Sequence, residues 1–243
     1  MERKTVLITG ASKGIGAAIA IKFAQNNYNI ILNYNQSEKE AINLKQKLEK
    51  YNIKVLAIKA NIENEIEIKN MIEMSIKTFE KIDVLINNAG IAIDTQVEDK
   101  TIENFDKIIH TNLIGPFICS REYAKYTNFG TIINIASTNG IDTYYPYSLD
   151  YDSSKAGLIS LTHNLAKEYS PNIRVNAIAP GWVNTEMNIN LDKEYKKSEE
   201  EKIFLKRFAE PEEIASVAYF LASQEAKYIN NEVIRVDGGT YHA

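Results

Sequence analysis

The stretch that decides the fold is Thr5-Val-Leu-Ile-Thr9-Gly10-Ala11-Ser12-Lys13-Gly14-Ile15-Gly16. A short apolar run ends in a glycine-rich turn, and an amphipathic segment follows, with Ile15, Ala18, Ile19 and Phe23 on one helical face. Glycines there permit a tight turn and let the backbone come close to a diphosphate. The following helix N-terminus then offers free N–H groups and the positive end of its dipole. A plain strand-to-helix turn would not need three glycines spaced G-x-x-x-G-x-G.

The same alternation runs through the chain. Apolar strand-like runs are expected at Thr5–Thr9, Asn29–Asn33, Lys54–Lys59, Ile82–Ile86, Thr131–Ala136, Ile173–Ile178 and Val233–Val236. Helical periodicity is expected at Gly14–Gln25, Ser37–Tyr51, Glu63–Phe79, Ile102–Tyr126, Tyr151–Tyr169 and Pro211–Ser223. Ser37 with Glu40 reads as an N-cap, and Gly115-Pro116 predicts a distortion inside its helix. Strands joined by crossover helices imply an α/β Rossmann fold: a doubly wound parallel sheet of about seven strands with helices on both faces. No repeat or linker composition interrupts the sequence, so residues 1–243 read as a single domain. The weakly patterned, charged segment 188–206 reads either as a solvated helix face or as a substrate lid.

Composition narrows the function classes. The 243 residues carry a formal net charge of -4, which argues against nucleic-acid binding by bulk charge. A single cysteine, Cys119, forbids an internal disulfide and reads as a small packed residue. No signal-peptide pattern and no membrane-length apolar run are present, so a cytoplasmic location without membrane contact is expected. The three histidines, His110, His163 and His242, form no ligand cluster, and no metal site is expected; His110 reads as packing.

The second strand ends Leu32-Asn33-Tyr34-Asn35-Gln36, with no carboxylate before Glu38. NAD-binding units place an acid there for the ribose 2′-hydroxyl, so its absence favours NADP(H). Asn35 is then a donor and Lys13 a cation for the 2′-phosphate, although Lys13 also fits the role of a solvated surface lysine.

Tyr151-Asp-Ser-Ser-Lys155 puts a phenol and an ammonium on one helix face. A neighbouring ammonium favours the phenolate and should bring the tyrosine closer to neutral pH for proton transfer. With the glycine turn, this motif resembles the short-chain dehydrogenase/reductase family, from Thr5 to Gly239. The resemblance implies hydride transfer between nicotinamide and a carbonyl or secondary alcohol, with Tyr151 as acid–base and Lys155 also on the ribose. It implies that Ser137 holds the substrate oxygen, and Ser137 otherwise reads as a strand-end cap. Asn112 resembles the residue that holds a proton-relay water. The cofactor contacts it implies are Gly10, Ser12, Lys13, Gly14, Ile15 and Gly16 in the turn, then Asn35, Asn61 and Ile62. Asn88, Ala89 and Gly90 follow the fourth strand, and Pro180, Gly181, Val183 and Thr185 follow the sixth, near the carboxamide.

Within the family, Arg207-Phe-Ala-Glu-Pro-Glu-Glu-Ile214 and Val236-Asp-Gly-Gly239 are similar to 3-oxoacyl-acyl-carrier-protein reductases. This implies an acyl-thioester or other small-molecule substrate, acyl carrier protein as a candidate partner, a place in fatty acid biosynthesis, and a homotetramer or dimer paired through Ile102–Tyr126 and Tyr151–Tyr169. Against it, Tyr126–Gly130 and Tyr169–Ile173 lack the arginines expected to meet an acidic carrier, leaving Arg121, Lys125 and Arg174 as substitutes. Tyr144, Tyr145 and Tyr147, with Trp182 opposite, fit an aromatic substrate pocket or a packed loop equally well. The alternatives are a sugar, polyol or cyclic-alcohol dehydrogenase and, more remotely, a non-catalytic dinucleotide-binding regulator.

Overall fold

The computed structural model describes residues 3–142, 145, 147–188 and 191–240, with Met187 described by its backbone alone. His242 and Tyr144 lie outside the described residues.

Among the described residues seven strands form one sheet: β1 (Thr5–Ile8), β2 (Asn29–Tyr34), β3 (Val55–Lys59), β4 (Val84–Asn87), β5 (Gly130–Ile135), β6 (Ile173–Pro180) and β7 (Val233–Val236). Their order is β3-β2-β1-β4-β5-β6-β7, and every pairing is parallel. Parallel strands are covered on both faces, which is why these runs are apolar throughout rather than alternating. The pleat still sorts their side chains. Val6, Ile8, Ile30, Leu32, Val84 and Ile86 enter one core, while Leu7, Ile31 and Leu85 enter the other.

Helices α1 (Gly14–Gln25), α2 (Glu38–Glu49) and α8 (Pro211–Ala222) cover the first face. Helices α3 (Glu65–Phe79), α5 (Gly115–Tyr126) and α6 (Leu149–Tyr169) cover the second. The fold is the expected single-domain Rossmann arrangement.

Local details differ from the sequence expectations. Ser37 precedes α2 but makes no side-chain cap hydrogen bond. The Ile102–Tyr126 segment is broken into α4 (Ile102–Ile109), a π turn (His110–Ile114) and α5. Gly115 N–H reaches back five residues to the His110 carbonyl, and Pro116 has no N–H to give the Asn112 carbonyl. The predicted distortion therefore falls just before Gly115-Pro116. His110, expected to pack, is exposed. Segment 188–206 contains a helix, α7 (Lys193–Lys202), capped by Asp192.

Candidate active site

In an open parallel sheet, ligands collect at the carboxyl ends of the strands where the order reverses. Here that point lies between β1 and β4, and a cavity of about 590 Å³ opens there.

Its floor is the glycine turn after β1. Gly10 and Gly14 adopt left-handed φ values of 61° and 56°. A Cβ on Gly16 would fall 2.6 Å from the Gly10 carbonyl oxygen, and one on Gly10 would fall 2.8 Å from Ala89 Cα. The turn is bolted to the β4 loop: Thr9 Oγ1 accepts from Asn88 N–H at 3.0 Å and Ala89 N–H at 3.1 Å, while Asn88 Nδ2 donates to the Thr9 and Gly10 carbonyls. Asn33, buried at the end of β2, accepts from Gly10 N–H at 3.2 Å and donates to the Ala60 carbonyl at 2.9 Å. Sequence reasoning missed Asn33 and Thr9 as the braces of the turn. Their signal was polarity at the ends of apolar strands.

Gly10, Ser12, Lys13, Gly14, Ile15 and Gly16 line one end of the cavity, next to Asn35, Asn61 and Ile62. Helix α1 starts there with no side-chain cap and no acid in its first turn. Its leading amides face the cavity, an arrangement suited to a diphosphate. Lys13 is neither free nor merely solvated: its Nζ lies 3.0 Å from Glu186 Oε2, and both side chains are exposed. Asn61 Oδ1 accepts from Glu63 N–H at 3.1 Å, so that oxygen already has a partner in its own turn.

Asn88, Ala89 and Gly90 form the middle wall; Pro180, Gly181, Val183 and Thr185 form the opposite one. Ser137, Tyr151 and Lys155 close the far end. Lys155 is buried, and its Nζ donates to the Ile135 carbonyl at 2.8 Å. Burial pushes Lys155 down to about 8 and Tyr151 up to about 12, with the nearby Ser137 hydroxyl opposing the rise of Tyr151. The expected lowering of the phenol by its neighbour is therefore not realised in the chain alone. The ammonium is turned toward Ile135, 5.6 Å from the Tyr151 ring centroid, and desolvation dominates.

Asn112 does not line the cavity. The π turn carries it inward, fully buried, where Oδ1 accepts from Ile91 N–H and Nδ2 donates to the Ile91 carbonyl and Ser154 Oγ. A Cβ on Gly90 would meet Asn112 Oδ1 at 3.3 Å and Lys155 Nζ at 3.4 Å, so both groups crowd the same glycine.

Tyr145, Tyr147 and Trp182 do not line this cavity. Trp182 stacks on Phe208 with centroids 5.2 Å apart and donates to Glu199 Oε2 at 3.2 Å on α7. Tyr145 packs edge-on to Tyr147, with ring centroids 5.3 Å apart. Cys119 is buried, its thiol pushed up to about 12, which suits packing rather than nucleophilic chemistry. Among the described residues no helix is long and apolar enough to cross a membrane, and no cluster of metal-ligating side chains occurs.

This geometry defines a dinucleotide-binding α/β protein with a tyrosine–lysine–serine centre at the end of its cleft. A family model described as enoyl-(acyl carrier protein) reductase matches residues 10–241. The 3-oxoacyl-[acyl-carrier-protein] reductase FabG of Staphylococcus epidermidis is 38% identical, covering 98% of this chain and 99% of its own. A short-chain dehydrogenase/reductase from Serratia marcescens superposes with a TM-score of 0.93 at 31% identity, covering 97% of both chains. A short-chain dehydrogenase from Burkholderia cenocepacia in complex with NADP has a TM-score of 0.94 at 27% identity, again over 97% of each. The chain belongs to the short-chain dehydrogenase/reductase family.

Proposed function

We propose that this protein is an NADP(H)-dependent reductase of carbonyl compounds, with 3-oxoacyl thioesters as its leading substrates. The observation that carries the reading is the convergence of Ser137, Tyr151 and Lys155 at one end of a cavity whose other end is the uncapped start of α1. Support for the thioester comes from the 38% identity to a 3-oxoacyl-[acyl-carrier-protein] reductase across nearly the whole chain. NADP use in the Burkholderia relative and the absence of an acid at the end of β2 support the cofactor.

Bound nicotinamide would supply the hydride. The chain supplies the rest. The glycine turn and the α1 amides would hold the diphosphate, and Lys13, paired with Glu186 in the chain alone, would be the cation for the 2′-phosphate beside Asn35. Ile62 would bound the adenine end, and Gly181, Val183 and Thr185 would orient the carboxamide. Ser137 holds the substrate oxygen by its hydroxyl, and Tyr151 gives that oxygen its proton as the carbonyl carbon is reduced. Lys155 binds the nearby ribose and, as an ammonium, eases the charge left on the phenolate. Asn112 acts by fixing the Ile91 wall and the lysine's surroundings. In the reverse direction Tyr151 takes the alcohol proton.

The second reading is oxidation of a sugar, polyol or cyclic alcohol. It is favoured by the fate of the basic residues that acyl carrier protein would need. Arg121 and Lys125 are paired with Glu122, and Arg174 is spent on Thr131 Oγ1 and the Leu221 and Ile229 carbonyls. We read α7, within the expected lid segment, as a cover over the substrate end held by the Trp182–Glu199 hydrogen bond, in a cytoplasmic homo-oligomer paired through α4, α5 and α6.

Acetoacetyl-coenzyme A with NADPH and then NADH at matched concentrations tests the reading. Rapid loss of NADPH absorbance with slow loss of NADH is expected. No loss with either, while NADPH still binds, moves the assignment to alcohol oxidation.

A further inference from the structure

Ser137 ends the β5 run and opens the short turn Thr138–Gly140. Its Oγ accepts from Asn139 N–H at 3.2 Å and donates to Asn139 Oδ1 at 3.4 Å. The other end of that amide, Nδ2, donates to Asp152 Oδ1 at 2.7 Å. Asp152 follows Tyr151 in the first turn of α6 and is itself held, accepting from Ser148 Oγ at 2.7 Å and Tyr145 N–H at 3.3 Å.

These contacts leave the Asn139 amide one orientation. An ionised carboxylate only accepts, so the NH₂ end must face Asp152 and the carbonyl end must face Ser137. A serine hydroxyl has one proton and two lone pairs. The proton goes to Asn139 Oδ1, and one lone pair takes Asn139 N–H. Ser137 and Tyr151 line the same end of the cavity, so the lone pair left on Ser137 is open to the Tyr151 hydroxyl as a donor. The Ser137–Asn139 bond is long at 3.4 Å, hence weak, and readily given up for an arriving carbonyl oxygen.

We propose that Asn139, held by Asp152, is a positioning residue that turns the Ser137 proton away from Tyr151 until a substrate oxygen claims both hydroxyls. This rests on the reading of Ser137 and Tyr151 as the reacting pair. Asn139 does not line the cavity, so it acts through Ser137 rather than on substrate.

The test is a double-mutant cycle on the NADPH-saturated enzyme, with acetoacetyl-coenzyme A, or with cyclohexanone where the wild type leaves the thioester untouched. Ser137→Ala is expected to lower kcat about a hundredfold. Asn139→Ala is expected to lower kcat about tenfold, with KM and the NADPH Kd within about twofold. Adding Asn139→Ala to Ser137→Ala should then cost nothing further, because the group it positions is gone. Asp152→Asn, which lets the amide flip, should repeat this pattern and stands in if Asn139→Ala fails to fold. A full tenfold loss in the Ser137→Ala background, or wild-type kcat for Asn139→Ala, overturns the role of Asn139 alone. Wild-type kcat for Ser137→Ala overturns it together with the reading of the site.

Discussion

Lys100 Nζ and Asp150 Oδ1 lie 2.8 Å apart with side chains only 6% and 0% exposed, directly beside the tyrosine of the site. Asp150 Oδ1 also accepts from Tyr151 N–H at 3.0 Å, and Lys100 Nζ donates to the Ile93 carbonyl at 3.0 Å. The pair thus clips the wall after β4 to the start of α6. Breaking a buried pair leaves an uncompensated charge, so Lys100→Met should destabilise by about 3–5 kcal/mol. Adding Asp150→Asn should recover most of that loss. Urea unfolding of the single and double variants checks both outcomes.

Lys155 is the opposite case, a buried cation whose hydrogen-bond partner is a neutral carbonyl. Its folded value near 8 lies below the 10.5 expected of a free lysine. Between those values the unfolded chain binds more protons, so stability rises with pH there; the penalty is full below pH 8 and gone near 10.5. Lys155→Met should therefore stabilise the ligand-free protein at pH 7 by on the order of 1–3 kcal/mol while abolishing turnover. The difference should shrink toward pH 10, as denaturation at several pH values would show.

With Tyr151 near 12, the phenol is protonated at neutral pH, the form reduction needs. Alcohol oxidation needs the phenolate, so kcat/KM in that direction should climb about tenfold per pH unit from 6 to 8, below the pH at which Lys155 gives up its charge. Tyr151→Phe should remove about a thousandfold of kcat. A fluorescence titration should still give a near-normal NADPH Kd.

Gly16 cannot carry a side chain without moving the Gly10 carbonyl or the Asn88 amide. Gly16→Ala should weaken NADPH binding by at least about tenfold, since the diphosphate depends on that close approach. Isothermal titration measures the loss.

Lys13→Ala should weaken NADPH about tenfold and leave NADH nearly unchanged, because only NADPH offers a second anion. Breaking its exposed contact with Glu186 should alter stability by less than about 1 kcal/mol. Equal losses for the two cofactors would assign Lys13 to the diphosphate instead.

The sheet and the glycine turn were legible because their signals are local. Buried parallel strands are short apolar runs such as Thr5–Ile8 and Gly130–Ile135, and the turn must place its glycines where the chain backs onto Ala89. What stayed hidden depends on residues distant in sequence. Nothing near Lys100 announces Asp150, and nothing near Lys13 announces Glu186. Gly115-Pro116 signalled a distortion, but its form as a π turn that buries Asn112 depends on which carbonyls find donors after folding. Tyr151 and Lys155 were found by spacing, yet their proton affinities follow from burial, which spacing alone does not give.

The strand order has a bearing on how the molecule comes into being. β1 pairs with β2 and β4, and β3 with β2, so the half that carries the glycine turn is contiguous in sequence and emerges from the ribosome first. Ser137, Tyr151 and Lys155 arrive only with β5 and α6, which close against β4 and β6. The residues of the nucleotide turn are therefore made before those of proton transfer, while α1 meets its packing partner α8 only once the chain has passed residue 210.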